Sequence, residues 1–411
     1  MGDKAEDCRS DVGNWRTPLS WVSSFNFSDE VRNLLNLPPK VVLHDVTLRD
    51  GEQTPGVVFR KSEKVEIALR LDELGVPRIE AGFPVVSDED KTAVKEIAHL
   101  GTKAKIFCLS RLAVSDVNLA LECDVDGVVC EGSTSDVHLK YRLNTTIDEI
   151  VKKAVETLDY AKAHGLYANF MSVDSTRTNL ESLVKIINTI TENTKVDSVT
   201  ITDSYCAQHP LAFMVFIKKI KERTKIPLEV HCHNELGLAV ANTLMGVAQG
   251  AEVAHVSVNG LGEKTGNASL EETAVALKLL FGIDTGITYE KLYELSQLVQ
   301  KLSGFKVALN KPVVGDYAFA RESGLVVYGL LKYPLSVQSY NPELVGNSTR
   351  ILIGKKSGKE SIKYKLKELG VHLEEDSLIE KILFEVKKQS MEKKRALIDD
   401  EFLEITKKIC S

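Results

Sequence analysis

Eight short apolar runs alternate with amphipathic stretches over residues 41–285, and this alternation constrains the fold more than any other feature. The runs are typical of β-strands and cover residues 41–47, 78–82, 104–109, 125–130, 166–173, 198–202, 228–232 and 253–258. Between them, stretches such as residues 61–74 and 180–193 repeat apolar residues at helical spacing. Alternating strands and helices predict a parallel sheet, and eight such units predict an α/β fold, a closed (β/α)8 TIM barrel. A doubly wound open sheet is the alternative.

The remaining sequence predicts smaller parts around this barrel. Residues 1–40, with Trp15 and Trp21, predict an N-terminal arm that docks on a surface. The barrel, as the catalytic domain, is expected over residues 41–285. Residues 286–350 predict a linker or subdomain, helical over 289–303 and irregular from 310. Residues 351–411 predict a mainly helical C-terminal appendage, with helices over 359–369, 376–390 and 399–409.

Composition narrows the class of protein. The formal net charge of −6 argues against nucleic acid or an anionic membrane as a partner. The seven cysteines include no CxxC pair, which makes a thiolate zinc site and a disulfide framework poor interpretations. The first residues carry no apolar secretory segment, and we therefore expect a cytoplasmic protein.

The ends of the predicted strands carry the residues suited to chemistry. His231 and His233 follow each other at a spacing of two, so both project to one side of the seventh strand as a pair of possible metal ligands. Asp50 ends the first strand, and barrel closure leaves only the eighth strand between the first and the seventh. The alternative is two partly buried histidines that hydrogen-bond to neighbours. Arg49, next to Asp50, is either its surface ion-pair partner or a donor to an oxyanion.

The glycine-rich segment GLGEKTG, residues 260–266, does not predict a dinucleotide site. Its glycines follow the last strand instead of opening a strand–helix–strand unit, as the dinucleotide fingerprint requires.

Five motifs resemble one family: DVTLRDGEQTPG, IEAGFP, TSDVHLKYR, HCHNELGLAVAN and NGLGEKTGNASLEE. In this order they resemble the DRE-TIM metallolyases, and within them the Claisen-condensing branch of 2-isopropylmalate, homocitrate and citramalate synthases. The resemblance implies a metal-dependent acyltransferase that condenses an acyl-CoA, usually acetyl-CoA, with a 2-oxo acid to give a 2-hydroxy-2-carboxylate. It also implies a homodimer with exchanged C-terminal segments.

The same resemblance assigns roles to individual residues. A divalent cation (zinc, magnesium or manganese) is expected on Asp50, His231, His233 and Asn267. Arg49 is expected to polarise the keto oxygen, with Glu80 beside it in the catalytic set. Acyl-CoA is the expected co-substrate, and the residues expected to bind or support substrate are Arg49, Gln53, Arg111 and Ser204.

The chain departs from the family at acid/base positions. A strand-end glutamate of the family is Val173 here, a catalytic histidine is Val326 and a tyrosine is Val337. Two further histidines of the family are replaced here, one by Arg321 in the segment RESG and one by Lys356 in the segment GKKSG. Since valine cannot move a proton, another residue must do so or the reaction must differ; the candidates are Tyr328, Tyr340, His138 and His209. The alternatives are a C–C lyase or aldolase of the same superfamily, or a non-catalytic relative.

Overall fold

The computed structural model describes residues 15–373 and 375–410. Residues 25–307 form one compact unit, and residues 15–24 together with residues 308–410 form the other. Residues 1–14 of the expected N-terminal arm lie outside the described residues.

The described residues contain twelve β-strands. They are β1 (Arg16–Thr17), β2 (Ser20–Trp21), β3 (Val42–Asp45), β4 (Arg78–Glu80), β5 (Lys105–Arg111), β6 (Gly127–Ser133), β7 (Tyr167–Val173), β8 (Ser198–Asp203), β9 (Leu228–Cys232), β10 (Val253–Val256), β11 (Ala320–Arg321) and β12 (Arg350–Ile351).

Fifteen α-helices lie in the same residues. They are α1 (Asp29–Arg32), α2 (Lys61–Leu74), α3 (Asp88–Ala98), α4 (Val114–Glu122), α5 (Asp136–His138), α6 (Ile147–Ala163), α7 (Leu180–Asn193), α8 (Pro210–Lys221), α9 (Ala239–Val247), α10 (Leu270–Ala276), α11 (Leu292–Ser303), α12 (Gly324–Lys332), α13 (Lys359–Glu368), α14 (Asp376–Lys393) and α15 (Asp399–Cys410).

Strands β3 to β10 pair in chain order and close on themselves, which confirms the (β/α)8 barrel over the open sheet. The closing pair is parallel, with Val42 opposite Val253 and Asp45 opposite Val256. Every one of the eight predicted strands is present, within a few residues of its expected bounds. Closure brings the carboxyl ends of all eight strands to one rim, which is where TIM-barrel enzymes hold their active sites.

Side-chain alternation in β9 separates the core from the site. Leu228, Val230 and Cys232 are buried apolar residues of one face. Glu229 and His231 project from the other face into the barrel, where His231 contacts a histidine of β10. The apolar face packs against the surrounding helices, so β9 contributes side chains both to the hydrophobic core and to the candidate site.

Local signals in the sequence explain where the helices begin. The Ser87 hydroxyl accepts a hydrogen bond from the Asp90 amide at 3.0 Å and caps α3. Asn179 caps α7 in the same way, accepting from the amides of Glu181 and Ser182 at 3.0 and 3.2 Å. Helices α2 and α7 cover the residues expected for them.

The second unit has its own apolar core and a short N-terminal hairpin. Val327, Ile353, Ile382 and Phe402 are among its buried core residues. Strands β1 and β2 form an antiparallel hairpin, and the Trp21 amide donates to the carbonyl oxygen of Ser339 at 2.8 Å.

The expectation of an irregular segment over residues 310–350 was wrong. Helix α12 lies within it, as does the two-residue strand β11, which pairs with β12. Strands of two residues are too short for a periodic pattern to reveal them.

No helix in the described ranges combines the length and the apolar character that crossing a lipid bilayer needs. The six cysteines within these ranges are free thiols, and only Cys410 is exposed.

Candidate functional site

Three potential metal ligands meet at the carboxyl-end rim of the barrel. The Asp50 Oδ2 atom lies 3.1 Å from His231 Nε2 and 3.8 Å from His233 Nε2. The two Nε2 atoms are 3.4 Å apart. All three side chains are buried, so the structure brings together the residues that the sequence pattern pointed to.

The electrostatics of this cluster favour a bound cation. Burial lowers the pKa of His231, and it lowers the pKa of His233 to about 4, so both imidazoles are neutral at pH 7. Burial alone would raise the pKa of Asp50, but Arg49 and the two histidines hold it well below its usual range. One carboxylate and two neutral imidazoles form a donor set that suits zinc and other divalent cations.

One polar atom without a partner supports the same conclusion. Among the described residues, Asn267 Oδ1 is buried with no hydrogen-bond partner. His233 and Asn267 are bridged through their backbones. Because buried polar atoms are rarely left unpaired, a ligand close to Asn267 fits this arrangement.

The glycine-rich loop after β10 closes one side of the cluster. The Glu263 amide donates to Asp50 Oδ1 at 3.0 Å, and the Gly262 amide donates to the Thr54 hydroxyl at 2.8 Å. A Cβ on Gly262 would lie 2.4 Å from Asn267 Nδ2, and a Cβ on Gly266, where φ is +91°, would lie 1.9 Å from a backbone oxygen. These two glycines therefore allow a close approach of backbone to the site and do not indicate nucleotide binding.

Arg49 and Glu80 form a buried, two-pronged ion pair beside Asp50. Arg49 Nε donates to Glu80 Oε1 at 2.7 Å, and Nη2 reaches Oε2 at 3.4 Å. Arg49 Nη1 is 3.2 Å from Asp50 Oδ2. Burial alone would raise the pKa of Glu80, but Arg49 lowers it to about 2. Glu80 therefore holds one edge of the guanidinium and leaves Nη1 next to the cluster.

Three further predicted residues have partners of their own. Gln53 Oε1 accepts from Arg49 Nη1 at 3.4 Å, at the edge of the cluster. The Ser204 hydroxyl accepts a hydrogen bond from the Asp174 amide at 2.9 Å, at the barrel rim. The Arg111 guanidinium pairs with Asp116: Nε donates to Oδ2 at 2.8 Å, and Nη2 donates to Oδ1 at 2.9 Å.

The residues considered as substitutes for the missing acid/base groups are divided between the two compact units. His138 is buried and contacts the Tyr205 hydroxyl through Nε2 at 2.8 Å. His209 caps α8 by accepting from the Ala212 amide at 3.2 Å. Tyr328 and Tyr340 belong to the second compact unit, as do Val326 and Val337.

Sequence reasoning missed four ionisable residues inside the barrel. His44 is buried in β3, and its ring stacks on that of His255 with centroids 4.4 Å apart. Glu229 Oε2 and His255 Nε2 lie 2.7 Å apart beneath His231. The fourth is Glu131, in β6. The signal was the alternation of the strands, since Glu229 and Glu131 each lie two residues from an inward-facing side chain.

Glu131 is a half-buried carboxylate whose charge interacts with that of Arg49. It lies on the same side of β6 as Val129, whose side chain packs with Leu109 and Met171. Burial raises its pKa, against the opposing effect of the Arg49 charge. Its carboxylate makes no hydrogen bond with any other residue that the structure describes.

Comparison with known proteins gives a family for both parts of the chain. The HMGL-like family matches residues 40–299, and the family described as homocitrate synthase post-HMGL domain-like matches residues 313–394. Homocitrate synthase AksA of Methanopyrus kandleri is 45% identical over 90% of this chain and 92% of its own length.

Relatives named for other activities have comparable identity over a smaller share of their own length. The (R)-citramalate synthase CimA of Methanocaldococcus jannaschii is 45% identical over 82% of this chain and 69% of its own length. The 2-isopropylmalate synthase of the same organism is 43% identical over 83% of this chain and 66% of its own length. Among solved structures, hydroxymethylglutaryl-CoA lyase from Pseudomonas aeruginosa has a TM-score of 0.58 at 22% identity, covering 66% of this chain and 96% of that chain, which shows a shared fold.

Proposed function

The chain belongs to the HMGL-like family, and from this premise we propose that it is a metal-dependent acyltransferase that condenses acetyl-CoA with a 2-oxo acid. The product is a 2-hydroxy-2-carboxylate. Relatives over most of the chain are named as synthases of this type. The observation that carries the proposal is the meeting of Asp50, His231 and His233 beside the Arg49 guanidinium.

The cation would be held by Asp50, His231 and His233, with Asn267 as a weaker or indirect ligand. A divalent cation at this site would act as a Lewis acid and as a template for the oxygens of the 2-oxo acid. Zinc, magnesium and manganese all remain compatible with a donor set of nitrogen and oxygen.

Arg49 is the donor to the oxygen that gains charge. When the acetyl carbon forms its bond with the keto carbon, the keto oxygen takes up the electron pair. Arg49 Nη1 is the part of the guanidinium that Glu80 does not hold, and it therefore donates to this oxygen. A donor fixed before the reaction costs no reorganisation when the charge develops, which is why such groups contribute strongly to rate.

We place the proton acceptor at Glu131. Condensation requires removal of a proton from the acetyl methyl group, and Val173 cannot accept it. Glu131 lies on the strand next to Val173, is partly accessible, and has a pKa raised by burial, which makes it a stronger base. Hydrolysis of the thioester then releases the CoA thiol.

Substrate-binding roles for Gln53, Ser204 and Arg111 remain part of the proposal. Gln53 supports Arg49, and Ser204 lies at the rim, whereas Asp116 engages Nε and Nη2 of Arg111 and leaves Nη1 for an anion. A homodimer with exchanged C-terminal segments remains an expectation from the resemblance.

The test is release of free CoA thiol from acetyl-CoA, with a panel of 2-oxo acids and each divalent cation in turn. Pyruvate, 2-oxoisovalerate and 2-oxoglutarate offer a methyl, a branched apolar and a carboxylated side chain. We expect one acid to give thiol release that depends on cation and on both substrates, and that is lost in Asp50→Asn.

Other outcomes identify the alternatives. Thiol release from no pair, together with cleavage of a 2-hydroxy acid or its CoA ester, would indicate a lyase or aldolase. Binding of the cation without either reaction would indicate a non-catalytic relative.

A further inference from the structure

A column of buried side chains continues beneath His231 into the barrel. His231 Nδ1 lies 3.3 Å from His255 Nδ1, and His255 Nε2 lies 2.7 Å from Glu229 Oε2. These three side chains are at most 2% exposed. The column is sealed from water, so each ring nitrogen can exchange hydrogen bonds only with its protein neighbours.

Glu229 fixes the direction of the hydrogen bonds at the lower end. Its Oε1 atom accepts from Arg78 Nη1 at 3.0 Å and from the Ser198 hydroxyl at 2.7 Å. A carboxylate held by an arginine accepts hydrogen bonds and donates none. The contact at 2.7 Å therefore requires a proton on His255 Nε2.

The contact between His231 Nδ1 and His255 Nδ1 holds a single proton. Two Nδ1 atoms 3.3 Å apart cannot both carry one, and a neutral His255 with its proton on Nε2 has a bare Nδ1. His231 must then donate from Nδ1, which leaves the lone pair of its Nε2 directed at Asp50 and His233. An unprotonated nitrogen 3.1 Å from a carboxylate oxygen is favourable when a cation lies close to both.

We propose that Glu229 and His255 are positioning residues that fix His231 as the Nδ1–H tautomer and so prepare its Nε2 to bind the cation. This inference rests on the proposed metal site. It extends that site by two residues that touch neither substrate nor cation. Partners of this kind orient a metal-bound imidazole and raise its basicity.

The geometry disfavours a second cation within the column. His44, Glu229 and His255 are close enough to share one. However, the His44 and His255 rings are stacked within 9° of parallel, so their in-plane lone pairs do not converge. Glu229 also already has partners in Arg78, Ser198 and His255.

The first test measures cation affinity by competition with a chromophoric chelator, using a matched pair of variants. Asparagine and leucine are similar in size, but the asparagine Oδ1 atom replaces the Nδ1 acceptor. We expect His255→Leu to weaken zinc binding about 10- to 100-fold and His255→Asn to retain affinity within about threefold of wild type. Equal weakening by both variants, or no weakening by His255→Leu, would overturn the proposal.

The second test needs no variant. In zinc-loaded wild-type protein labelled with ¹⁵N-histidine, long-range ¹H–¹⁵N spectra distinguish the two tautomers of each ring. We expect protons on His231 Nδ1 and His255 Nε2. The opposite tautomer of His255, or a second zinc ion that His44→Ala removes, would contradict the proposal.

These outcomes are distinct from failure of the metal site itself. If His231→Ala binds zinc as tightly as wild type, the proposed function is wrong at its first step. If His231→Ala loses zinc while His255→Leu and His255→Asn both keep it, only the positioning role is wrong.

Discussion

Asp50 Oδ2 lies 3.1 Å from His231 Nε2, although Asp50 follows the first barrel strand and His231 lies in the seventh. This contact exists because β10 pairs with β3 and closes the barrel. Around it are an arginine whose Nη1 faces Asp50 and Gln53, a backbone loop that donates to Asp50, and a column of buried side chains.

Removal of both imidazoles should abolish cation binding. We expect the His231→Ala, His233→Ala double variant to contain less than one tenth of the wild-type zinc after dialysis, since a lone Asp50 cannot replace two ligands. Metal analysis by mass spectrometry measures this. The control is His164→Ala, which removes an exposed histidine. Unchanged zinc in the double variant would show that the cation binds elsewhere.

Lysine should not replace Arg49. The guanidinium engages Glu80 through Nε and Nη2 while Nη1 faces Asp50, and a single ammonium cannot do both. We expect Arg49→Lys and Arg49→Ala to lower kcat on the order of 10²–10³-fold with zinc content unchanged. Near-normal turnover in Arg49→Lys would reduce Arg49 to an ion-pair partner of Asp50.

Loss of the proposed base should slow the chemical step. We expect Glu131→Gln, which keeps size and polarity, to lower kcat about 10²–10⁴-fold with little change in KM for the 2-oxo acid. Exchange of the acetyl-CoA methyl protons with deuterated solvent, followed by NMR, should be lost in parallel. Glu222→Gln, on the barrel surface, is the control. Exchange at the wild-type rate in Glu131→Gln would assign the base to another residue.

Asp45 should make the protein less stable as pH rises from about 4 to about 7. Burial raises the pKa of Asp45 to about 7, against hydrogen bonds from Thr47, whereas an unfolded aspartate has a pKa of about 3.9. Between these values the native state holds a proton that the unfolded state has lost. The free energy of unfolding therefore falls with pH.

Asp45→Asn should remove this dependence. Relative to the variant, we expect wild type to lose on the order of 1 kcal/mol for each pH unit between pH 5 and 7. Urea unfolding at three pH values measures the difference, and exposed Asp159→Asn is the control. A difference between Asp45→Asn and wild type that stays constant with pH would mean that Asp45 is ionised in the native protein.

The barrel was predictable from the sequence because its signals are local. Each strand is a short apolar run and each helix repeats its apolar residues at a fixed spacing. The eight strands could therefore be placed within a few residues. The pairing of His231 with His233 was also local, since two residues at a spacing of two share one side of any strand.

The tertiary structure decided what surrounds those residues. Arg111 projects from a strand end like Arg49, but its pairing with Asp116 became visible only once β5 and α4 were packed together. Glu131, Glu229 and His255 each looked like a single polar residue in an apolar run. Their roles depend on distances across strands that are far apart in the sequence.

The sequence by itself thus determined the barrel, the rim that carries the chemistry, and the identity of the candidate ligands. Only the tertiary structure decided which charges are buried together, which nitrogen of Arg49 faces Asp50, and which nitrogen of His231 does so. The physical reason is that strand formation follows from the side-chain pattern of a few consecutive residues. The pKa values, ion pairs and tautomers instead follow from desolvation and from contacts that closure of the barrel creates.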